Sequence, residues 1–366
     1  MLLEGLHIPL TAPFHPDGRL NARKLAANVA RYSKTPASGL IVLGPSGEPT
    51  LLSDDETREA LRVAAEAAAP EKVLIAGISR DSVHATLELA NFAAELDCDA
   101  ILVSVPSFVS PESGSSRLDL DHRPVPLSKR WLVELLTFFQ TVADRSPLPV
   151  ILLNAPGRTI PLSVARKASS HPNIIGLCGT GHSVEVQSAV ISSLLQHTAN
   201  TKREVTVTST FAAVTSRMKR SASQAVTPLI STAALTGSST TAIAEPPALR
   251  TRMKTVGFQI ISAHAPRLLD ALNLGAVGIA PAFAACAPQA SYEVFAAWKD
   301  DDQALVEEKQ TRLRDAAQFV ETLGPSGLKF ACDLSGYFGG PARLPHLPPT
   351  GEQRAELQRL MQPLRN

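Results

Sequence analysis

Eight short runs rich in isoleucine, valine and leucine recur along the chain, at residues 6–12, 39–44, 73–78, 100–106, 150–154, 174–178, 258–262 and 276–280. They lack the polar alternation of a half-exposed strand, so each is expected to be covered on both faces, as the strands of a parallel sheet are. Helical patterns at 20–34, 54–69, 83–96, 129–145 and 162–170 separate most of them. That alternation is the mark of an α/β fold. Eight is also the number of strands that closes a (β/α)8 TIM barrel, although period alone leaves an open doubly wound sheet available. Beyond the eighth run, helical patterns at 292–298, 303–322, 327–334 and 351–364 form a C-terminal helical extension.

With 366 residues, the chain has room for one large barrel with additions. The expected organisation is a barrel over 1–290 and a helical extension over 291–366 packed on it. Ser53-Asp54-Asp55-Glu56 gives the second helix a capping box, in which Ser53 accepts from the backbone three residues on while Glu56 reaches back. Two stretches interrupt the pattern. Residues 110–127 form a polar loop after the fourth run. Residues 200–254 are rich in serine, threonine and alanine, carry Glu245-Pro246-Pro247, and show no sustained period. A long insertion between the sixth and seventh strands is therefore expected, either disordered or reflecting a flaw in the predicted coding sequence, with a short helix inside it left open.

Lysine plus arginine number 35 and aspartate plus glutamate 34, a formal net charge of +1. No basic excess exists to neutralise a nucleic-acid backbone or an anionic membrane surface, so neither is expected as a partner. No apolar run reaches the ~18 residues of a membrane-spanning helix. The four cysteines, Cys98, Cys178, Cys286 and Cys332, stand far apart, which supports neither a zinc knuckle nor a disulfide framework. With no basic leader ahead of the first run, a cytoplasmic location is expected. The nine histidines include no HExxH, and neither GxGxxG nor GxxxxGK[ST] occurs. No metal site and no cofactor are expected.

Gly44-Pro45-Ser46-Gly47-Glu48 follows the second run and so falls at the C-terminal mouth of the expected barrel, where active sites of this architecture lie. This string resembles the GxxGE signature of the dihydrodipicolinate synthase and N-acetylneuraminate lyase family, barrel lyases acting on pyruvate and related 2-oxo acids. The likeness continues in register. Residues 6–14 resemble the family's opening strand, Asn154-Ala155-Pro156-Gly157-Arg158-Thr159 its fifth-strand motif and 172–177 its sixth strand. Residues 258–274, 275–287 and 343–345 resemble the closing segments. Nearly the whole chain is covered, apart from the insertion.

The resemblance implies a lysine at the end of the sixth strand that forms a Schiff base with the substrate ketone. Cys178 stands there in this sequence. A thiol can add to a carbonyl, but the adduct has no protonated imine nitrogen to act as electron sink. The family's proton-relay tyrosine is matched by Leu153, which cannot ionise. Pro45 stands where a hydroxyl residue is usual, and Phe108 lies near a further family tyrosine, keeping the ring without the phenol. What remains is anion binding: Ser46 with the backbone NH groups of Gly47 and Glu48 for one carboxylate, and the guanidinium of Arg158 for another.

Cys178 and His264 are the candidate catalytic groups. Against them stand plainer readings: a cysteine ending a buried strand is commonly an inert small hydrophobe, and a lone histidine after the seventh strand is as often a loop residue. Lys167 and Lys329 could replace the missing amine only by entering the barrel mouth. Glu48 braces its turn, and Pro45, Phe108, Leu153 and Ile279 are expected to line the pocket. Three functions fit. The chain is a divergent family lyase of aldolase type acting on a small 2-oxo or hydroxy acid, or an inactive relative serving as a carboxylate-binding or partner subunit, or a tailoring enzyme for dehydration, isomerisation or cyclisation of a larger substrate. The expected partner is a small carboxylate, and the resemblance implies a homo-oligomer.

Overall fold

In a computed structural model, residues 1–107, 117–118, 124–125, 129–155, 157–181, 183–225 and 249–364 are described. Eight strands close a parallel barrel: β1 (Gly5–Pro9), β2 (Gly39–Val42), β3 (Val73–Gly77), β4 (Ala100–Ser104), β5 (Val150–Leu153), β6 (Ile174–Cys178), β9 (Gln259–Ser262) and β10 (Gly278–Ile279). Each pairs with the next in chain order, and β10 returns to β1 through Gly5 opposite Gly278 and Leu6 opposite Ile279. Every expected run supplies one barrel strand, so the open-sheet alternative falls away.

Alternate side chains sort the residues into two cores, because successive residues of a strand face opposite ways. Ile41, Ile75, Leu102, Ile151 and Ile261 pack inside the barrel, while Leu40, Val42, Leu74, Ile101 and Ile260 pack outward against the helices. The surrounding helices are α1 (Ala22–Tyr32), α2 (Asp54–Ala67), α3 (Val83–Glu95), α4 (Lys129–Arg145), α5 (Leu162–Ser169), α6 (Val184–His197), α8 (Leu268–Asn273) and α9 (Pro288–Lys299). Ser53 and Glu56 form the expected capping box on α2. No helix among the described residues is long and apolar enough to cross a membrane.

The stretch expected to be a disordered insertion is in part folded. Strands β7 (Arg203–Thr208) and β8 (Thr251–Val256) pair antiparallel in full register, and α7 (Ser216–Ala225) lies between them. Residues 226–248 lie outside the described residues. One face buries Val205 and Val207 with Leu2 and also carries Arg203, Arg252 and Lys254, while the opposite face carries threonines with Glu204 and Met253. A search for uninterrupted apolar runs passes over such strands.

The insertion docks on the N-terminal end of the barrel, opposite the mouth. Asp99 accepts from Leu74 N at 2.9 Å and from Ser216 N at 2.6 Å, and Arg217 donates to the carbonyl of Lys72. Glu4, just ahead of β1, pairs with Lys254 of β8 at 2.8 Å and with Lys299 of α9.

Past the barrel come α10 (Gln303–Leu334) and α11 (Gly351–Met361). The expected boundary at residue 290 falls inside α9, which packs on β1 as part of the outer ring. Helix α10 is two rods joined at Gly324, whose φ of 62° and ψ of −148° break the helix ahead of Pro325. This is the gap that separates the 303–322 and 327–334 patterns in the sequence.

Candidate active site

A cavity of about 640 Å³ opens at the C-terminal ends of the barrel strands, within the ~300–1,000 Å³ range of ligand pockets. Its floor is made by strand ends: Ile41, Leu102, Leu153, Cys178 and Ala280. All five are at most 7% exposed. Above them stand Ser46, Thr159, Thr180 and His264 from the loops, and Val186 and Val190 from α6. Helix α10 closes the remaining side with Val320, Glu321, Gly324 and Leu328 around its break.

Ser46 sits in a 3-10 turn, Pro45–Gly47, that follows β2. Proline at its start supplies the φ such a turn needs. The turn uses the backbone NH groups that the sequence assigns to a carboxylate: Gly47 N donates to Gly44 O at 2.9 Å and Glu48 N to Pro45 O at 3.3 Å. Of this expected anion cradle, Ser46 lines the cavity and Gly47 and Glu48 do not. Glu48 takes a left-handed conformation, φ 52°, and turns its carboxylate away into the protein, where it forms a buried ion pair with Lys329. Its second oxygen accepts from Arg343 N at 3.2 Å.

Lys329 is completely buried. Besides Glu48, its ammonium meets Pro341 O at 3.2 Å and lies 4.1 Å from the centroid of the Phe14 ring. Burial pulls its pKa below the usual lysine range, with the Glu48 charge opposing. It braces the Ser46 turn and does not line the cavity. Lys167 is exposed on α5. Arg343 completes the brace through a two-pronged contact with Glu56, Nη1 to Oε2 at 2.7 Å and Nη2 to Oε1 at 2.5 Å. Those hydrogen bonds hold the Glu56 carboxyl at about 2.

Cys178 ends β6 and lies on the cavity floor beside Leu153. Burial alone pushes its thiol up to about 12. The thiolate, which is the nucleophile, is therefore scarce near neutral pH. Ile279 does not line the cavity. It points outward into the layer between barrel and helices, and its neighbour Ala280 faces the mouth, as strand alternation requires. Phe108 lies outside the described residues.

Arg158 lies apart from the large cavity, which is lined by its neighbours Gly157 and Thr159. It borders a second cavity of about 360 Å³ with Arg80, Asp81 and Ser107. Burial acts to raise the Asp81 carboxyl pKa, but hydrogen bonds from Ser107 and then the charge of Arg158 outweigh it and leave it lowered.

His264 lines the large cavity, and its Nδ1 lies 3.1 Å from Glu321 Oε2 of α10. The other oxygen of Glu321 accepts from Ala265 N at 3.2 Å. A carboxylate held at both oxygens fixes the plane of the imidazole and favours a proton on Nδ1, the tautomer in which Nε2 carries the basic lone pair. Sequence reasoning missed Glu321, because it lies in a helix that reads as a peripheral appendix. It also missed Thr180, which lines the cavity and is 1% exposed, with Oγ1 lacking a hydrogen-bond partner among the described residues. Among the described residues, no group of three histidine, cysteine, aspartate or glutamate side chains could hold a metal ion.

Comparisons with known proteins agree with a barrel of this plan. The profile of the Dihydrodipicolinate synthetase family matches residues 2–116 and 248–364, and the chain belongs to that family. Over 362 residues it is 25% identical to the 4-hydroxy-tetrahydrodipicolinate synthase of Methanothrix thermoacetophila, covering 98% of this chain and 95% of that protein. A 33% identity to the same-named protein of Xanthomonas campestris covers 48% of this chain and 53% of the relative, about half of its length. Among solved structures, a prophage protein of the dihydrodipicolinic acid synthase family from E. coli K12, in complex with pyruvate, superposes with a TM-score of 0.71 at 22% identity, covering 100% of this chain and 99% of its own. The chloride-inhibited dihydrodipicolinate synthase of Acinetobacter baumannii, also with pyruvate, gives 0.73 at 19% identity over 99% of both chains.

Proposed function

We propose that this chain is a lyase of aldolase type that handles a small 2-oxo or hydroxy acid without a lysine imine, using His264 oriented by Glu321 as its acid-base group. Cys178 occupies the place of the family's Schiff-base lysine and Leu153 that of its tyrosine. The observation that carries the reading is the His264 to Glu321 contact at the edge of a cavity with no amine among its described lining residues. Relatives of the same fold were solved with pyruvate, which supports a 2-oxo acid as the ligand class.

In this mechanism His264 Nε2 takes the proton of a substrate hydroxyl as the adjacent carbon-carbon bond breaks. The electron pair moves onto the 2-oxo group as an enolate, and hydrogen bonds from Ser46 and Thr180 stabilise it. The same proton then returns to carbon. Cys178, protonated up to about 12, takes no part beyond shaping the floor.

Two measurements test this. Pyruvate with borohydride is expected to leave the protein mass unchanged; an adduct on Lys167, Lys329 or any other lysine ends the reading. In a turnover screen across hydroxylated 2-oxo acids, His264→Gln is expected to lower kcat by ~10²–10⁴-fold. Glu321→Gln should lower it less and shift the pH profile. If no acid is turned over by the unaltered protein, a carboxylate-binding relative is the reading that stands.

A further inference from the structure

We propose that the mouth cavity takes a 2-oxo or hydroxy acid bearing a bulky apolar substituent, an alkyl or aryl chain, seated on the strand-end floor. The head group rests on the reading above; the tail goes beyond it. A three-carbon acid would leave most of a cavity of about 640 Å³ unfilled. The polar and apolar parts of the wall are also segregated. Ile41, Leu102, Leu153, Cys178 and Ala280 form a continuous buried floor, and an unpaired carboxylate placed there would lose its hydration without gaining a partner.

Groups that can receive an acid head stand past the strand ends. Thr180 follows β6 by two residues and lines the cavity, and its buried hydroxyl has no hydrogen-bond partner among the described residues. A buried hydroxyl left unpaired is unfavourable, and a ligand oxygen within reach relieves it. Ser46 and His264 lie in the same tier of loops. Val186, Val190, Val320 and Leu328 extend the apolar surface along α6 and α10. Such a distribution suits a molecule with one polar end and a long greasy one.

Calorimetric titration of the whole protein with straight-chain 2-oxo acids, from pyruvate to 2-oxooctanoate, tests the tail. Affinity is expected to rise about fourfold for each added methylene, the fold-change that corresponds to ~0.8 kcal/mol per buried CH2. A flat or falling series overturns the proposal. Leu153→Gln should at least halve the gain per methylene, with a thermal melt to show that the variant is folded and Cys178→Ser as the milder second variant. An unchanged gain in the folded variants removes the tail from the floor and also overturns it. Turnover of the same acids is scored separately. A rising series without turnover keeps the tail assignment and ends the catalytic reading, whereas His264-dependent turnover of short acids with a flat series does the reverse.

Discussion

Replacing Lys329 by methionine is expected to lower the free energy of unfolding by about 3–5 kcal/mol, the usual cost of breaking a buried pair by removing one partner. The ammonium is the counter-charge of a carboxylate as deeply buried as itself, since both side chains are 1% exposed. Methionine fills the space but leaves the buried Glu48 carboxylate without its counter-charge. The double variant Lys329→Met with Glu48→Gln should recover a good part of the loss, because no uncompensated charge then remains. Urea titration of the parent, both singles and the double forms the cycle. A single Lys329→Met variant within 1 kcal/mol of the parent would show that the pair carries no such weight. Because the pair fixes the turn that presents Ser46, the same variant should also weaken 2-oxo acid binding.

Acidification should unfold the protein earlier than its surface charges suggest, and His7 is the reason. This residue of β1 is completely buried, with Nε2 3.1 Å from Leu3 O and Nδ1 without a hydrogen-bond partner among the described residues. Burial lowers its pKa from 6.5 to about 4. Between those values the unfolded chain binds a proton that the folded one refuses, so stability falls as pH falls through this window. At about 1.4 kcal/mol per unit, the loss is about 3 kcal/mol by pH 4. His7→Gln should remove that slope between pH 6.5 and 4, whatever the substitution costs at neutral pH. Denaturation midpoints followed over pH check this, and an equal slope in both proteins would refute it. Glu56, held at about 2 by Arg343, acts mostly in a more acidic range, from 4.5 downward.

The barrel was legible because its strands are covered on both faces and therefore stand out as unbroken apolar runs. The same criterion hid β7 and β8, whose alternating threonine, arginine and lysine side chains cover one end of the barrel rather than forming its wall. Local chemistry also read true: the Ser53 and Glu56 capping box depends on residues three apart and forms as expected. Tertiary partnerships were not legible. Glu48 and Lys329, or His264 and Glu321, meet only when α10 folds back across the mouth, and nothing in their neighbouring sequence marks them as partners. Ile279 was misplaced by one step of strand alternation. The NH groups of Gly47 and Glu48 look free in the sequence and are consumed once the turn forms.

The break at Gly324 has a geometric consequence for the mouth. Glu321, which positions the imidazole, belongs to the rod before it, and Lys329, which anchors the serine turn, belongs to the rod after it. Two sides of one cavity are thus mounted on separate arms that share a single pivot, and the torsion angles of one glycine set how far apart they stand. A side chain at that position would disfavour the positive φ and so reset the spacing of the chamber without touching any residue that lines its floor.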